Sequence, residues 1–256
     1  IILIIIIYLM NSFRLTVLIL LLLTTNSVFS QQNLNSQFTV VVDAGHGGKD
    51  PGNTGNGYLE KKIALSIALK LGKKLEENSV KVVYTRKSDV FVNLFERANI
   101  ANRSNAQLFI SIHCDSHTSQ AYGAGTFVLG LHANQRNFEV AKKENSVIFF
   151  EEDYINKYEG FDPNNPESVI GLTLMQEEYL DQSIVAASYI QNSFVNRLNR
   201  RNRTVKQAGF IVLKYTYMPS VLVETGFLTN NSEGAYLNSV RGQNEMADAI
   251  ASAVID

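Results

Sequence analysis

Cysteine, tryptophan and proline are scarce: the 256 residues include one Cys, no Trp and four Pro. A single thiol cannot close an internal disulfide, so a disulfide-stapled scaffold is excluded. So few prolines, and no biased stretch beyond the first thirty residues, exclude a disordered chain. Neither sign of charge dominates, with 23 Lys and Arg against 24 Asp and Glu. The chain therefore lacks the basic excess with which proteins hold nucleic acid by its phosphates. Its length suits one large domain with a substantial buried core.

Long apolar runs are confined to the start. Arg14 is the one charged side chain among residues 1–30, and it precedes the run Leu15 to Leu23. That run is about nine residues long, too short for a membrane span, which needs ~20. Val28 and Ser30 then stand at minus three and minus one of a cut after Ser30. The pattern predicts a signal peptide over 1–30, no stable membrane span after its cleavage, and a periplasmic or otherwise extracytoplasmic protein. Ile1 to Leu9 precede the first Met and read as sequence upstream of the true start. A membrane anchor over residues 1–29 is the alternative, disfavoured by Asn11, Ser12 and Arg14. Residues 31–37 form a polar linker.

Beyond the linker, strand and helix patterns alternate. Phe38 to Val42, Val80 to Thr85, Leu108 to His113 and Gly125 to Leu129 read as strands, with Gly209 to Leu213 and Ser220 to Val223 later. Helical spacing of Ile63, Ile67, Ala68, Leu71 and Leu75 predicts a helix from Glu60, and others are expected over 93–104, 182–200 and 240–254. This is the grammar of an α/β fold: a mostly parallel twisted sheet of about six strands with helices on both faces. The interruption is a partly helical insert, about 132–182, too long for a plain crossover. The basic residues Arg197, Arg200, Arg201 and Arg203 read as a solvated helix end.

Chemistry-bearing residues collect just past the strands. His46 follows the first strand within the Gly-rich loop 45–52, His113 closes the third, and Glu224 closes the last. Ligands of open α/β sheets bind outside the carboxyl ends of the strands. Glu60 opens the first helix on the same edge, where a carboxylate is favoured. Two His and one Glu, with a fourth position for water, form a ligand set for catalytic zinc. The remaining glutamate is then free to move a proton. Spacing does not decide which glutamate takes which part. Read singly, each residue also has a bland role: a turn cap, a core histidine, a helix-start charge, a surface ion pair.

The motifs themselves resemble zinc-dependent N-acetylmuramoyl-L-alanine amidases of the amidase-3 type. Val41 to Gly52 (VVDAGHGGKDPG), Glu60-Lys61-Lys62, Leu108 to Asp115 (LFISIHCD), Val205 to Phe210 (VKQAGF) and Met218 to Asn230 (MPSVLVETGFLTN) follow the family's motifs in order. The departures are Cys114-Asp115 and Thr225, none of them at a ligand position. The resemblance implies one zinc ion held by His46, Glu60 and His113, with Glu224 as the catalytic carboxylate. It also implies a catalytic domain over 38–256 that cuts the amide between N-acetylmuramic acid and L-alanine in peptidoglycan. A zinc peptidoglycan carboxypeptidase and a catalytically silent wall-binding protein are the rival readings.

Two further residues are expected near the site: Asp43, orienting His46 through its second nitrogen, and Gln207, donating to substrate. Strand alternation turns Cys114 away from His113, as a buried inert thiol. His117 and His132 read as surface residues. Division-associated relatives suggest that the insert, acidic at Glu144, Glu151, Glu152 and Asp153, occludes the cleft with one glutamate facing the zinc. An activator with a LytM-like domain would then displace it.

Overall fold

The structure is a computed structural model that describes residue 2 and residues 37–131, 134–169 and 177–256. The signal-peptide reading of 1–30, nearly all of the linker, and His132 lie outside the described residues. Phe38–Asp256 forms one compact unit. Its sheet has six strands: β1 (Thr39–Ala44), β2 (Lys81–Tyr84), β3 (Leu108–Asp115), β4 (Ala124–Leu129), β5 (Asn202–Ala208) and β6 (Ser220–Phe227). They lie in the order β2-β1-β3-β6-β4-β5. The first four in that order are parallel, while β4 runs antiparallel to β6 and parallel to β5.

β1, β3 and β6 are buried along their whole length. Their near-continuous apolar runs are what strands covered on both faces require. The edge strands β2 and β5 are partly exposed, with Lys81, Asn202 and Thr204 facing water. Helices α1 (Glu60–Glu77), α2 (Leu94–Arg103), α3 (Gln135–Asn145), α4 (Tyr154–Lys157), α5 (Glu177–Leu198), α6 (Ile211–Lys214), α7 (Asn231–Leu237) and α8 (Val240–Ile255) complete the fold. No described helix is long and apolar enough to cross a membrane.

Strand alternation divides the core in two. On one face Val40, Val42, Ile110, Ile112, Val221 and Val223 pack against Ile63, Ile67 and Leu71 of α1, Phe194 of α5 and Ile250 of α8. Fully buried side chains such as Ile67 and Leu71 each contribute about 2 kcal/mol of transfer free energy. On the other face Val41, Phe109, Phe127 and Leu222 meet Leu94 of α2, Val140 of α3 and Ile211 to Leu213 around α6. Asp43, Ser111, His113 and Glu224 share this second face, since they alternate with residues of the first. α2 starts on a side-chain cap, Asn93 accepting from the Glu96 amide at 2.8 Å.

One expected strand is absent. Gly209 to Leu213 is not extended; Ile211–Lys214 is a helical turn, and the strand is Asn202–Ala208 just before it. A short run buried on all sides carries no period that separates strand from helix. The polar residues of the true edge strand conceal its alternation. In the insert, α3 is followed by a 3-10 turn over Ser146–Phe150, and α5 begins at Glu177 rather than 182.

Candidate metal centre

β1 ends at Ala44, and a glycine loop turns the chain across the sheet edge. His46 sits at φ 61°, a left-handed conformation that costs a side-chain-bearing residue about 1–3 kcal/mol. Two buried guanidiniums hold it there. Arg97 donates to the Ala44 carbonyl at 2.6 Å and the His46 carbonyl at 2.7 Å, and Arg86 to the Ala44 carbonyl at 2.9 Å and the Gly45 carbonyl at 2.7 Å. Gly45 is required by close approach: a Cβ there would run into the His113 ring. Gly52, at φ 67°, likewise leaves room for His46 and Glu60.

Each imidazole is oriented from behind. His46 Nδ1 lies 2.7 Å from Asp50 Oδ2, which leaves Nε2 facing inward. Ser111 donates its one hydrogen to Asp43 Oδ2 at 2.6 Å, so its oxygen accepts from His113 Nε2 at 3.1 Å. His113 Nδ1 is thereby left facing inward as well. Asp43 also receives Thr85 at 2.5 Å and Arg97 at 2.6 Å. Asp43 thus supports His113 through Ser111, and Asp50 holds the place against His46 that the sequence reading gave to Asp43. Such outer partners fix the tautomer of metal-binding imidazoles.

Glu60, the first residue of α1, is wholly buried between the two rings. Its Oε1 accepts from the Cys114 amide at 2.7 Å and lies 3.1 Å from His113 Nδ1. Its Oε2 accepts from the Asn53 amide at 2.7 Å and lies 3.2 Å from His46 Nε2. The fourth member comes from the insert. Glu144 on α3 places Oε2 3.0 Å from His46 Nε2 and 2.8 Å from His113 Nδ1. Inward atoms of His46, Glu60, His113 and Glu144 all lie within 4.8 Å of one another.

Burial disfavours each imidazolium, yet the carboxylates outweigh it. Glu60 and Glu144 hold His46 well above its ordinary pKa, and Glu144 and Glu60 raise His113 to about 9. Burial likewise opposes ionised Glu60 and Glu144, and the two histidines outweigh it, pulling both below the ordinary range. Protons here occupy positions a divalent cation would take, and cation binding would release them. The donor set fits: two nitrogens and a carboxylate suit zinc, and His46 Nε2 and Glu144 Oε2 are buried with no well-formed hydrogen bond among the described residues.

Glu224 stands outside that set. It is the β6 partner of His113 in register, beside a register shift that lies between His113 and Asp115. Both its oxygens are buried and make no hydrogen bond among the described residues. Burial first, then the charges of Asp115, Glu144 and Glu60, raise its pKa well above the ordinary range. A carboxyl so perturbed beside a ligand cluster is a functional candidate.

The other expectations divide. Cys114 points into the opposite core, 3.2 Å from Thr225 Oγ1, and burial pushes its thiol up. Gln207 turns away from Glu224 to the other face of β5, where its side chain packs at Gly130. His117 bonds locally to Ser119 at 2.7 Å. Asp50, Arg86, Arg97 and Ser111 were not singled out by sequence. The Asp within the Gly-rich motif was the one readable signal, whereas the arginines act across about 40–50 residues of chain.

Comparison with known proteins places this geometry. The family model described as N-acetylmuramoyl-L-alanine amidase matches residues 40–256. The chain is 34% identical over 223 residues to N-acetylmuramoyl-L-alanine amidase AmiA of Escherichia coli, covering 84% of this chain and 74% of that relative. It is 35% identical over 216 residues to the uncharacterized protein YqiI of Bacillus subtilis, covering 84% and 82%. Among solved structures, N-acetylmuramoyl-L-alanine amidase AmiC2 of Nostoc punctiforme superposes with a TM-score of 0.64 at 29% identity, over 86% of this chain and 96% of that one.

Proposed function

The chain belongs to the N-acetylmuramoyl-L-alanine amidase family, and from that premise we propose that it is a zinc-dependent enzyme of peptidoglycan. The reaction is hydrolysis of the amide between N-acetylmuramic acid and L-alanine, which releases the stem peptide. The observation that carries this is the convergence of His46, Glu60 and His113, with the unpartnered carboxyl of Glu224 alongside His113. His46 Nε2, His113 Nδ1 and the Glu60 carboxylate would hold the metal.

When bound, zinc supplies a Lewis acid and brings the pKa of water down to about 7. The chain supplies the rest. Asp50, and the relay from Asp43 through Ser111, hold a ring hydrogen on the outer nitrogen of each imidazole, so that the inward nitrogen is the one that would give up its proton to the metal. Glu224 takes the proton from the attacking water and passes it to the departing alanine nitrogen as the amide carbon–nitrogen bond breaks. Its burial excludes competing hydrogen-bond partners, so both oxygens are free for that transfer.

Glu144 stands where the substrate carbonyl or water would approach, which supports a self-inhibited resting state. α3 is pinned by Arg136 to Asp115 at 2.7 Å, Lys143 to Ser116 at 2.6 Å, and Asn145 to the Gly209 carbonyl at 2.7 Å. An activator, of the LytM-like class the sequence suggests, would have to release those contacts. A cell-wall substrate supports a location outside the cytoplasm, the one that the signal-peptide reading expects. The test is digestion of purified peptidoglycan by the zinc-loaded protein. New alanine N-termini with intact glycan support the amidase; trimmed peptides would instead indicate a carboxypeptidase, and bound but unaltered polymer a silent binder.

A further inference from the structure

Lys206 lies on the same sheet face as Glu224, one strand further on. Its ammonium rests 4.4 Å from the centroid of Phe127 and against Gly125, where a Cβ would crowd it. It meets no hydrogen-bond acceptor and no ion-pair partner among the described residues. Lys206 and Glu224 line one cavity of about 50 Å³, together with Asp115, Arg136 and Arg203. That volume holds one or two waters.

The cavity shares Arg136, Arg203 and Phe227 with an open trough of about 690 Å³, whose outer wall includes Tyr122 and Arg201. Arg203 stacks 4.7 Å over Phe227 and donates to the Tyr122 carbonyl at 2.9 Å; Arg201 stacks 4.9 Å over Tyr122. Two of the four basic residues that read as a solvated helix end, Arg201 and Arg203, thus line the trough, while Arg200 pairs with Glu233 and Arg197 stays exposed. Among the lining charges the cations Lys206, Arg136 and Arg203 outnumber the acids Asp115 and Glu224, and Arg136 engages Asp115 at 2.7 Å. The passage to Glu224 therefore carries net positive charge. Burial lowers Lys206 to about 8, as it does for a cation with no direct counter-ion.

A half-buried ammonium with no direct counter-ion is costly unless a ligand supplies one. The amide proposed above has such a group close by. The second residue of the stem is joined through its side-chain carboxyl, which leaves its α-carboxylate free next to the alanine. In an extended peptide that carboxylate lies about 6 Å from the departing nitrogen. Glu224, which serves that nitrogen, and Lys206 line the same cavity. We propose that Lys206, with Arg203 beside it, forms a subsite for the α-carboxylate of the second stem residue, and that the trough at Tyr122 and Arg201 receives the peptide beyond it. This subsite rests on the amidase reading.

The test is calorimetric titration of two peptides, L-alanyl-γ-D-glutamyl-L-lysine and the same peptide with the α-carboxylate amidated. The zinc-loaded full chain is used, both as it stands and with Glu144→Ala. At least one of these parents should bind the carboxylate form about tenfold or more tightly than the amide, the scale of one charge-assisted hydrogen bond. Lys206→Met, with an unchanged melting temperature, should bind the two alike, and Lys206→Arg should keep the preference. A merely structural Lys206 would not distinguish the peptides. Equal binding by both parents, no binding by either, or a preference that survives Lys206→Met would overturn the subsite. Muramoyl–alanine cleavage is measured on the same preparations. A peptide preference without cleavage would remove the amidase reading and leave the subsite; cleavage without preference would do the reverse.

Discussion

At the scale of single residues, the site depends on which nitrogen of each imidazole is free. Asp50 settles this for His46 from four residues away, and Asp43 for His113 through Ser111. Asp43 also forms a fully buried pair with Arg97, which in turn fixes the left-handed His46. Its pKa is lowered, with Arg97, Ser111 and Thr85 outweighing burial. The stability it contributes is therefore present above the ordinary Asp range and is lost as pH falls through the depressed value. Asp43→Asn should cost about 3 kcal/mol near neutrality by leaving Arg97 unpaired. The gap from the parent should narrow as melts are taken down to about pH 3, and a constant gap would remove the ion pair as its source. Glu224→Gln should keep zinc and lose about 100- to 10,000-fold in turnover. Loss of metal in that variant would make Glu224 a ligand instead. His46, Glu60, His113 and Glu224 were legible because each follows a strand or opens a helix. Their supporters were not, since an arginine holding a carbonyl far along the chain leaves no period in the sequence.

At the scale of elements, α3 decides whether the centre is open. The insert was legible as an excursion too long for a crossover, and its acidity as a candidate feature. Which of its glutamates turns inward was not. That depends on Asn145, whose amide and carbonyl bond Gly209 and Ile211 and so set the rotation of the helix end beside Glu144. Glu151 instead caps the start of α2 weakly at 3.3 Å and accepts from Tyr158 at 2.7 Å. Glu144→Ala should raise the cleavage rate, by about tenfold or more if one carboxylate–metal contact is what substrate must displace. A rate unchanged or lowered would mean that α3 does not inhibit. The strand misplaced to 209–213 has a related cause. α6 packs its apolar side chains on the second face, so tertiary burial, not local propensity, chose the helical turn.

At the scale of the whole molecule, β1, β3 and β6 run parallel and end together, and that shared edge brings distant residues to one point. Alternating strand and helix patterns made the parallel sheet readable, and with it the edge where His46, His113 and Glu224 would meet. The reversed pair β4 and β5 was less legible, and it is this pair that carries Lys206 to the far side of Glu224. The most direct test measures zinc stoichiometry together with muramoyl–alanine cleavage on the full chain and on Glu144→Ala. One zinc ion per chain in both, with cleavage faster in the variant, is the predicted result. A chain that takes up no zinc, or a zinc-loaded variant that leaves the muramoyl–alanine bond intact, would contradict it.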